Sequence, residues 1–280
     1  MAVARPLPST RLRLELTWAL VRRDLRARAS QSALGLLWSL IKPLTLTAIL
    51  FVVFGNIIPV RVPDEAVPYW LHVLVSVLTW NFLFGSITEA THSITAHGHL
   101  LRKVALDARV FPAAAILSHG IHYLAGLALV VFVAMPLAGL TPSLLGLLCL
   151  VPVLLGLALL TLTVGMALAA CHVYLRDTAS ALELAGTAWF YGSPVIYPLP
   201  AALAAFGSAW GGWAGVIYLL NPAASLLAAV RRCLIYPSGA EISDGRLCLL
   251  VLVGSALCVV VLVCGRYAFQ RASGNFADRL

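Results

Sequence analysis

The residues able to do chemistry are few and scattered. Only two lysines occur in 280 residues, Lys42 followed by Pro43 and Lys103 followed by Val104. A phosphate-binding P-loop needs Gly-Lys-Ser/Thr, because backbone amides cradle the phosphates while the amine reaches the terminal ones. Neither lysine has that setting, so the chain does not hydrolyse ATP by that route. No HExxH, no GxSxG and no DxD-type carboxylate pair is present either. His97-x-His99 lacks a third metal ligand at usable spacing. The six cysteines (149, 171, 233, 248, 258, 264) form no CxxC pair and lie mostly in apolar runs, where packing accounts for them. A Cys233–Cys248 disulfide would need both residues on an oxidising side. Near the apolar segments the acidic residues reduce to Glu89, Asp177 and Glu183, thin material for a membrane-embedded enzyme or a proton relay.

One stretch combines charge, aromatics and breakers in an order that no soluble core requires. Residues 174–198 open on the charged elbow Arg176-Asp177 and run apolar around Glu183. They then gather Trp189, Phe190 and Tyr191, and break at Ser193-Pro194 before Tyr197-Pro198. The pattern reads as a membrane helix with a basic cytosolic start and a broken, aromatic outer mouth. Composition supports a membrane setting. Apolar residues make up 61% and charged residues 11%, against about 45–50% and about 25% in globular domains. Mean hydropathy is +0.95. The net charge of +8 is spread between apolar runs instead of over one surface, so nucleic acid is not the expected partner. The first apolar run follows a long basic segment without a small-residue cleavage site, which fits a retained signal anchor.

The elements that must position these residues follow in order. Residues 1–32 form a cytosolic segment. Within it Leu14, Trp18, Val21 and Leu25 recur at i, i+4, i+7 and i+11, with Arg22, Arg23 and Arg26 off that face. This is a basic amphipathic helix suited to the membrane interface, or to a soluble partner beneath it. A single transmembrane domain is expected over 33–270, all-α, with six spans of about 20 residues. They fall at about 33–58, 68–89, 111–138, 144–171, 178–197 and 247–268. Lys42 either snorkels to the interface or faces a polar cavity. A short helix is expected at about 100–109. Pro136 and Pro152 are candidate kinks. Residues 198–246 are apolar yet punctuated by Pro and Gly, with pieces too short to span, so re-entrant outer helices are expected there. Asn221 is placed to cap a helix with Pro222 at its first position. Residues 271–280 form a cytosolic tail. With the N-terminus inside, fourteen of the nineteen Lys and Arg are cytosolic and four (Arg61, Arg231, Arg232, Arg246) are outside, Lys42 being the remaining one. Both termini are then cytosolic.

Five motifs in this order resemble the ABC-2-type permeases that export polysaccharides, over about residues 15–270. The first is Arg23-Asp24-Leu25-Arg26-Ala27-Arg28 with Ser32, Leu34-Gly35-Leu36-Leu37-Trp38 and Pro43. Next come Leu100-Leu101-Arg102-Lys103-Val104 with Arg109-Val110-Phe111-Pro112, and Tyr174-x-Arg176-Asp177. Ser193-Pro194-Val195-Ile196-Tyr197-Pro198 and Leu220-Asn221-Pro222 complete the set. The resemblance implies a half-transporter in the bacterial inner membrane that pairs with a second copy of itself. It implies a separate P-loop ATPase that binds the ATP and Mg, so that no cofactor belongs to this chain. The implied cargo is a lipid-linked glycan such as O-antigen, capsule or teichoic acid.

On that reading Leu100, Leu101, Arg102, Lys103, Arg109, Arg176 and Asp177 meet the ATPase, and Ser193, Pro194, Asn221 and Pro222 form an outer gate. Trp70, Trp80, Phe82, Phe84, Trp189, Phe190, Tyr191 and Tyr197, with Glu183, are candidates to line the pathway, because flat aromatic faces stack on pyranose rings. The competing role for these aromatics is contact with lipid and neighbouring helices. Export of a smaller amphiphile, a drug or lipo-oligosaccharide, uses the same architecture. A lipid-carrier transferase is the remaining alternative, and it lacks an acidic catalytic cluster.

Overall fold

A computed structural model describes residues 10–30, 38–103, 106–236, 239–242 and 245. Every regular element among them is a helix. In chain order these are α1 (Thr10–Ser30), α2 (Trp38–Phe51), α3 (Tyr69–Ala96), α4 (Gly98–Lys103), α5 (Val110–Leu129), α6 (Met135–Leu137), α7 (Leu144–Tyr174), α8 (Thr178–Tyr191), α9 (Leu199–Trp210), α10 (Gly212–Leu219) and α11 (Pro222–Leu234). Wider π-helical turns extend α2 through Val52–Ile57 and join α5 to α6 through Val130–Ala134.

Four of these segments are long and apolar enough to cross a membrane: Leu40–Ile57, Tyr69–Ala96, Val110–Leu137 and Leu144–Tyr174. Their outward faces carry Phe132, Leu144, Leu148 and Leu155, all exposed, as surfaces that meet lipid or another apolar partner do. The centre is α3, which touches α2, α5, α7, α8 and α11 and has 78% of its apolar window buried. Several of its buried hydroxyls tolerate that position because they bond within their own helix. Ser76 Oγ donates to the His72 carbonyl (2.7 Å), Thr79 Oγ1 to Val75 (2.7 Å) and Thr91 Oγ1 to Ile87 (2.8 Å).

The same local bonding moves two boundaries. The second span was expected to end near Glu89, yet α3 runs on to Ala96, because Thr91, Ser93 and Thr95 all bond back to helix carbonyls. The short helix expected at about 100–109 is instead α4 at Gly98–Lys103. Residues 107–109 form a turn built on the Asp107 carboxylate. The fifth apolar stretch yields only the 14 residues of α8, which ends at Tyr191 instead of reaching 197. At 1.5 Å per residue that is about 21 Å, short of a ~30 Å hydrocarbon core. Its backbone leaves the helix at Gly192, and Val195 N donates to the Ser193 carbonyl (2.7 Å) in a tight turn. The sixth span, at about 247–268, lies outside the described residues.

Beyond α8 the described residues form three short helices, α9 to α11. Gly211, at φ 87°, ends α9 in a backbone region that side chains rarely adopt and turns the chain into α10. α11 starts as expected. The Asn221 side chain accepts from Ala223 N (3.1 Å), and Pro222 takes the first position, where a missing N–H costs nothing.

α8 is held loosely, with only Leu182 and Gly186 buried. Gly186 sits flush against the Phe84 ring of α3, so that an added Cβ would overlap it. Gly186→Ala should therefore destabilise the chain by about 1–3 kcal/mol through overpacking. Phe84→Leu added to it should restore most of the loss in thermal unfolding followed in detergent.

Candidate functional site

Two clusters of polar contacts between elements stand out in this apolar bundle. At the α11 end the centre is Arg231, whose side chain is completely buried. Its Nε donates to both Glu241 oxygens (3.2 and 3.0 Å), and Nη2 donates to Glu241 Oε1 as well. Nη1 reaches Ser76 Oγ of α3 (2.8 Å) and the Pro194 carbonyl (2.6 Å). Glu241 also accepts from Leu199 N at the start of α9 (3.1 Å). One ion pair thus ties together α3, the break after α8, the start of α9 and α11. Around it Tyr69 donates from its hydroxyl to the Ile196 carbonyl (2.9 Å), and His72 Nδ1 meets the Tyr236 hydroxyl (2.8 Å). A buried charge persists only when paired and hydrogen-bonded, and here both conditions hold.

The expected gate residues come together beside this knot. Asn221 Oδ1, besides capping α11, accepts from Trp189 Nε1 (2.9 Å), and its Nδ2 donates to Ser193 Oγ (3.1 Å). Pro194 contributes the carbonyl held by Arg231, and Pro222 opens α11.

The aromatics expected to line a pathway mostly meet one another. Trp80 stacks on Phe84 (centroids 5.6 Å) and takes the edges of Trp189 (5.6 Å) and Phe190 (5.5 Å), so these four rings are the contact between α3 and α8. Phe82 is buried and stacks on Tyr123 of α5 (4.8 Å). Trp70 is half-buried against the core. The Tyr197 hydroxyl donates to the Tyr191 carbonyl (2.8 Å), which closes the turn after α8. Tyr191 and Glu183 are exposed on α8.

At the opposite end, α1 lies along α5. The face expected for membrane contact is divided: Val21 is fully buried, Leu25 is half-buried, and Leu14 and Trp18 are exposed. Arg22 stands over the Trp18 ring at 5.3 Å, and Arg26 is exposed. Polar contacts between described residues help fix α1. Arg13 pairs with Asp107 (3.2 Å), Arg23 Nη2 meets His97 Nε2 (2.6 Å), and Ser118 Oγ donates to Asp24 (2.5 Å). Arg109, one of the residues expected to meet the ATPase, grips Asp107 (Nη2–Oδ2 2.9 Å, Nε–Oδ1 3.0 Å). Burial alone would raise the Asp107 carboxyl. The Arg109 hydrogen bonds and charge, with Arg13, outweigh that and hold it below its ordinary value.

Leu100 is half-buried, and Leu101 packs α4 against Ile94, Ala169 and Val173, at the end of α7. Arg102 and Lys103 close α4, and their side chains lie outside the described residues. The elbow at Arg176-Asp177 is exposed between α7 and α8. α4 and the elbow therefore share one end of the molecule, joined through α7. Among the described residues no group of His, Cys, Asp or Glu is arranged to hold a metal.

Arg231, Glu241, Ser76 and Asp107 were not singled out from the sequence. Arg231 had been counted only as an outer positive charge. A signal was available: Ala224, Leu227, Arg231 and Leu234 fall on one helical face, and a charge inside an apolar stripe demands a partner.

An all-helical arrangement of the described residues, with four segments long and apolar enough to cross a membrane, defines a multi-pass membrane protein. The chain belongs to the ABC-2 type transporter family, whose model matches residues 15–235. It is 25% identical over 183 residues to the O-antigen export system permease protein RfbA of Klebsiella pneumoniae, covering 65% of this chain and 69% of the relative. To the protein of the same description from Myxococcus xanthus it is 29% identical over 181 residues, covering 65% and 67%.

Two outcomes follow from the end clusters. Arg231→Met should cost about 3–5 kcal/mol by leaving Glu241 buried without its cation, whereas Arg231→Met with Glu241→Leu should recover most of that stability in chemical denaturation. A carboxyl held below its ordinary value stabilises above that value and loses its contribution as pH falls through the depressed one. Docking of α1, followed by backbone hydrogen exchange, should thus hold at neutral pH and weaken on acidification below the ordinary carboxylate range. Asp107→Asn should remove this acid-dependent step.

Proposed function

We propose that this chain is the permease subunit of an ATP-driven exporter that carries a lipid-linked polysaccharide from the cytosolic to the outer side of the bacterial inner membrane. The observation that carries the reading is the family match across residues 15–235, joined to relatives described as O-antigen export permeases. The end clusters agree with it. α4 and the exposed Arg176-Asp177 elbow offer a surface at the end expected to be cytosolic. A P-loop ATPase that binds ATP and Mg would press there, with Leu100, Leu101, Arg102 and Lys103 on α4. Arg109 acts from behind, by fixing the turn on which α5 starts.

A second copy of the chain completes the passage. The thinly buried α8 supplies a face for it, with Glu183, Leu184, Thr187 and Tyr191 exposed. Tyr191 and Glu183 are then the pathway candidates left available, while Trp80, Phe84, Trp189 and Phe190 position α8. The knot around Arg231 holds the short helices α9 to α11 as the outer gate.

The test is genetic and biochemical together. Deletion should abolish long surface glycan. The purified chain should show no ATPase activity, and a co-expressed P-loop ATPase should co-purify with it. Arg176→Glu with Asp177→Arg should reduce that association. An intact surface glycan with new drug sensitivity would assign a smaller amphiphile as cargo instead, and undiminished association in the elbow variant would move the ATPase contact elsewhere.

A further inference from the structure

The four membrane-crossing segments together contain two residues from among Lys, Arg, Asp and Glu: Lys42 on α2 and Glu89 on α3. Glu89 is half-buried and holds His119 (2.5 Å). Lys42 is exposed and has no side-chain partner among the described residues. An ionisable residue inside an apolar span is costly and marks a functional position unless its head reaches water. What Lys42 can reach depends on its depth.

Hydropathy puts Lys42 near the start of its span, two residues after Leu40, where snorkelling to the interface would suffice. Packing puts it deeper. Leu40 of α2 and Leu78 of α3 both lie against Gly126 of α5, so the three share one level. Further along α2, Gly55 lies against Tyr69, where α3 begins. α2 therefore leans across α3 and climbs slowly. On α3, Tyr69 and Glu89 bound a stretch of about 30 Å at 1.5 Å per residue, the thickness of a hydrocarbon core. Leu78 stands near the middle of that stretch, and Lys42 lies less than one helical turn beyond Leu40. The Cα–Cβ bond of a helical residue leans toward the helix N-terminus, which for Lys42 is away from the Tyr69 end.

The same measure removes two ready-made anions. Phospholipid phosphates rest at the edges of the core, about 15 Å from its middle. The exposed Glu183 of α8 is also at the wrong depth. Gly186 is level with Phe84 and Trp189 with Trp80, so Glu183 falls near Ile87, about 13 Å from Leu78 toward the Glu89 end. A two-fold axis along the membrane normal preserves depth, so a second copy cannot bring that carboxylate to Lys42.

We propose that Lys42 binds the phosphate or diphosphate that joins lipid to glycan while the substrate crosses the membrane. The assignment rests on the export function proposed above. A phosphate near the midplane is one in transit, and an ammonium is a compact point charge suited to it. Trp38, exposed one turn earlier on the same face of α2, offers a ring to the adjoining sugar.

The experiment uses the full chain, purified in detergent and stripped of lipid. Undecaprenyl diphosphate and undecaprenol are offered at equal concentration, and retained lipid is counted by native mass spectrometry. The parent chain should keep several-fold more of the diphosphate. Lys42→Met should hold the two equally, and Lys42→Arg should keep the preference. Arg61→Gln, which alters an exposed residue between spans, should leave it unchanged. Lys42→Met should unfold at or above the parent temperature, because it removes an unpaired cation from an apolar span. A lower unfolding temperature would make Lys42 a structural residue and overturn the site. So would equal retention by the parent chain, a preference that survives Lys42→Met, or displacement of the diphosphate by equimolar dioleoylphosphatidylglycerol. In cells Lys42→Met should reduce surface glycan several-fold with the chain present at the parent level. Full export by that variant, in a strain whose glycan is lost on deletion, would overturn the site and leave the export reading in place. Glycan that persists on deletion would overturn the export reading and the site with it.

Discussion

The buried pair of Arg231 and Glu241 is the interaction on which the α11 end of the molecule depends. Two charges removed from water recover their hydration only through close pairing and through partners for the remaining donors. Here those partners are Ser76, the Pro194 carbonyl and the Leu199 amide, drawn from three other parts of the chain. Charge satisfaction thereby becomes a positional device. The segment after α8 cannot drift without stranding a cation in the core, and α9 cannot leave without taking a hydrogen bond from the carboxylate. Short helices that would be marginal alone acquire fixed places around a single guanidinium.

The frame that results is uneven. α3 is enclosed by its neighbours, chiefly α2, α5, α7 and α11, and α11 is buried along most of its length. By contrast α8 rests on α3 through four aromatic rings and one glycine contact. Few buried contacts mean a lower cost of displacement. The helix that carries the exposed Arg176-Asp177 elbow at one end is therefore also one that is lightly held. Its other end runs directly into the turn gripped by Arg231. On the function proposed above, force applied at the elbow would have a short route to the turn after α8, and the knot around Arg231 would decide whether that turn yields or the short helices move with it.

Much of this was legible in the sequence, for identifiable reasons. Long apolar runs bounded by charges located the second, third and fourth spans, since hydropathy and length are what a bilayer selects. The Asn221-Pro222 start of α11 was readable because capping is a local matter. The end of α3 was misplaced because its Thr and Ser residues look like a loop until their bonds to helix carbonyls are counted. The fifth stretch was read too long because hydropathy does not register the turn at Gly192 and Ser193. The aromatics were sorted only by the fold: Trp80, Phe84, Trp189 and Phe190 are separated by up to 110 positions in sequence and meet across two helices. Arg231 and Glu241 are ten residues apart, and which side of the bundle buries them is a tertiary fact.

The claim that α8 moves against a frame pinned by Arg231 is tested most directly by paired spin labels in a reconstituted complex with the proposed ATPase. One pair, at Leu184 of α8 and Leu155 of α7, spans lever and frame. The other, at Leu155 and Ala240, lies within the frame, and all three positions are exposed. Between the nucleotide-free and the vanadate-trapped states the first distance distribution should shift while the second stays in place. A fixed first distance with a shifting second would contradict the account, because the knot would then be the moving part and α8 the fixed one.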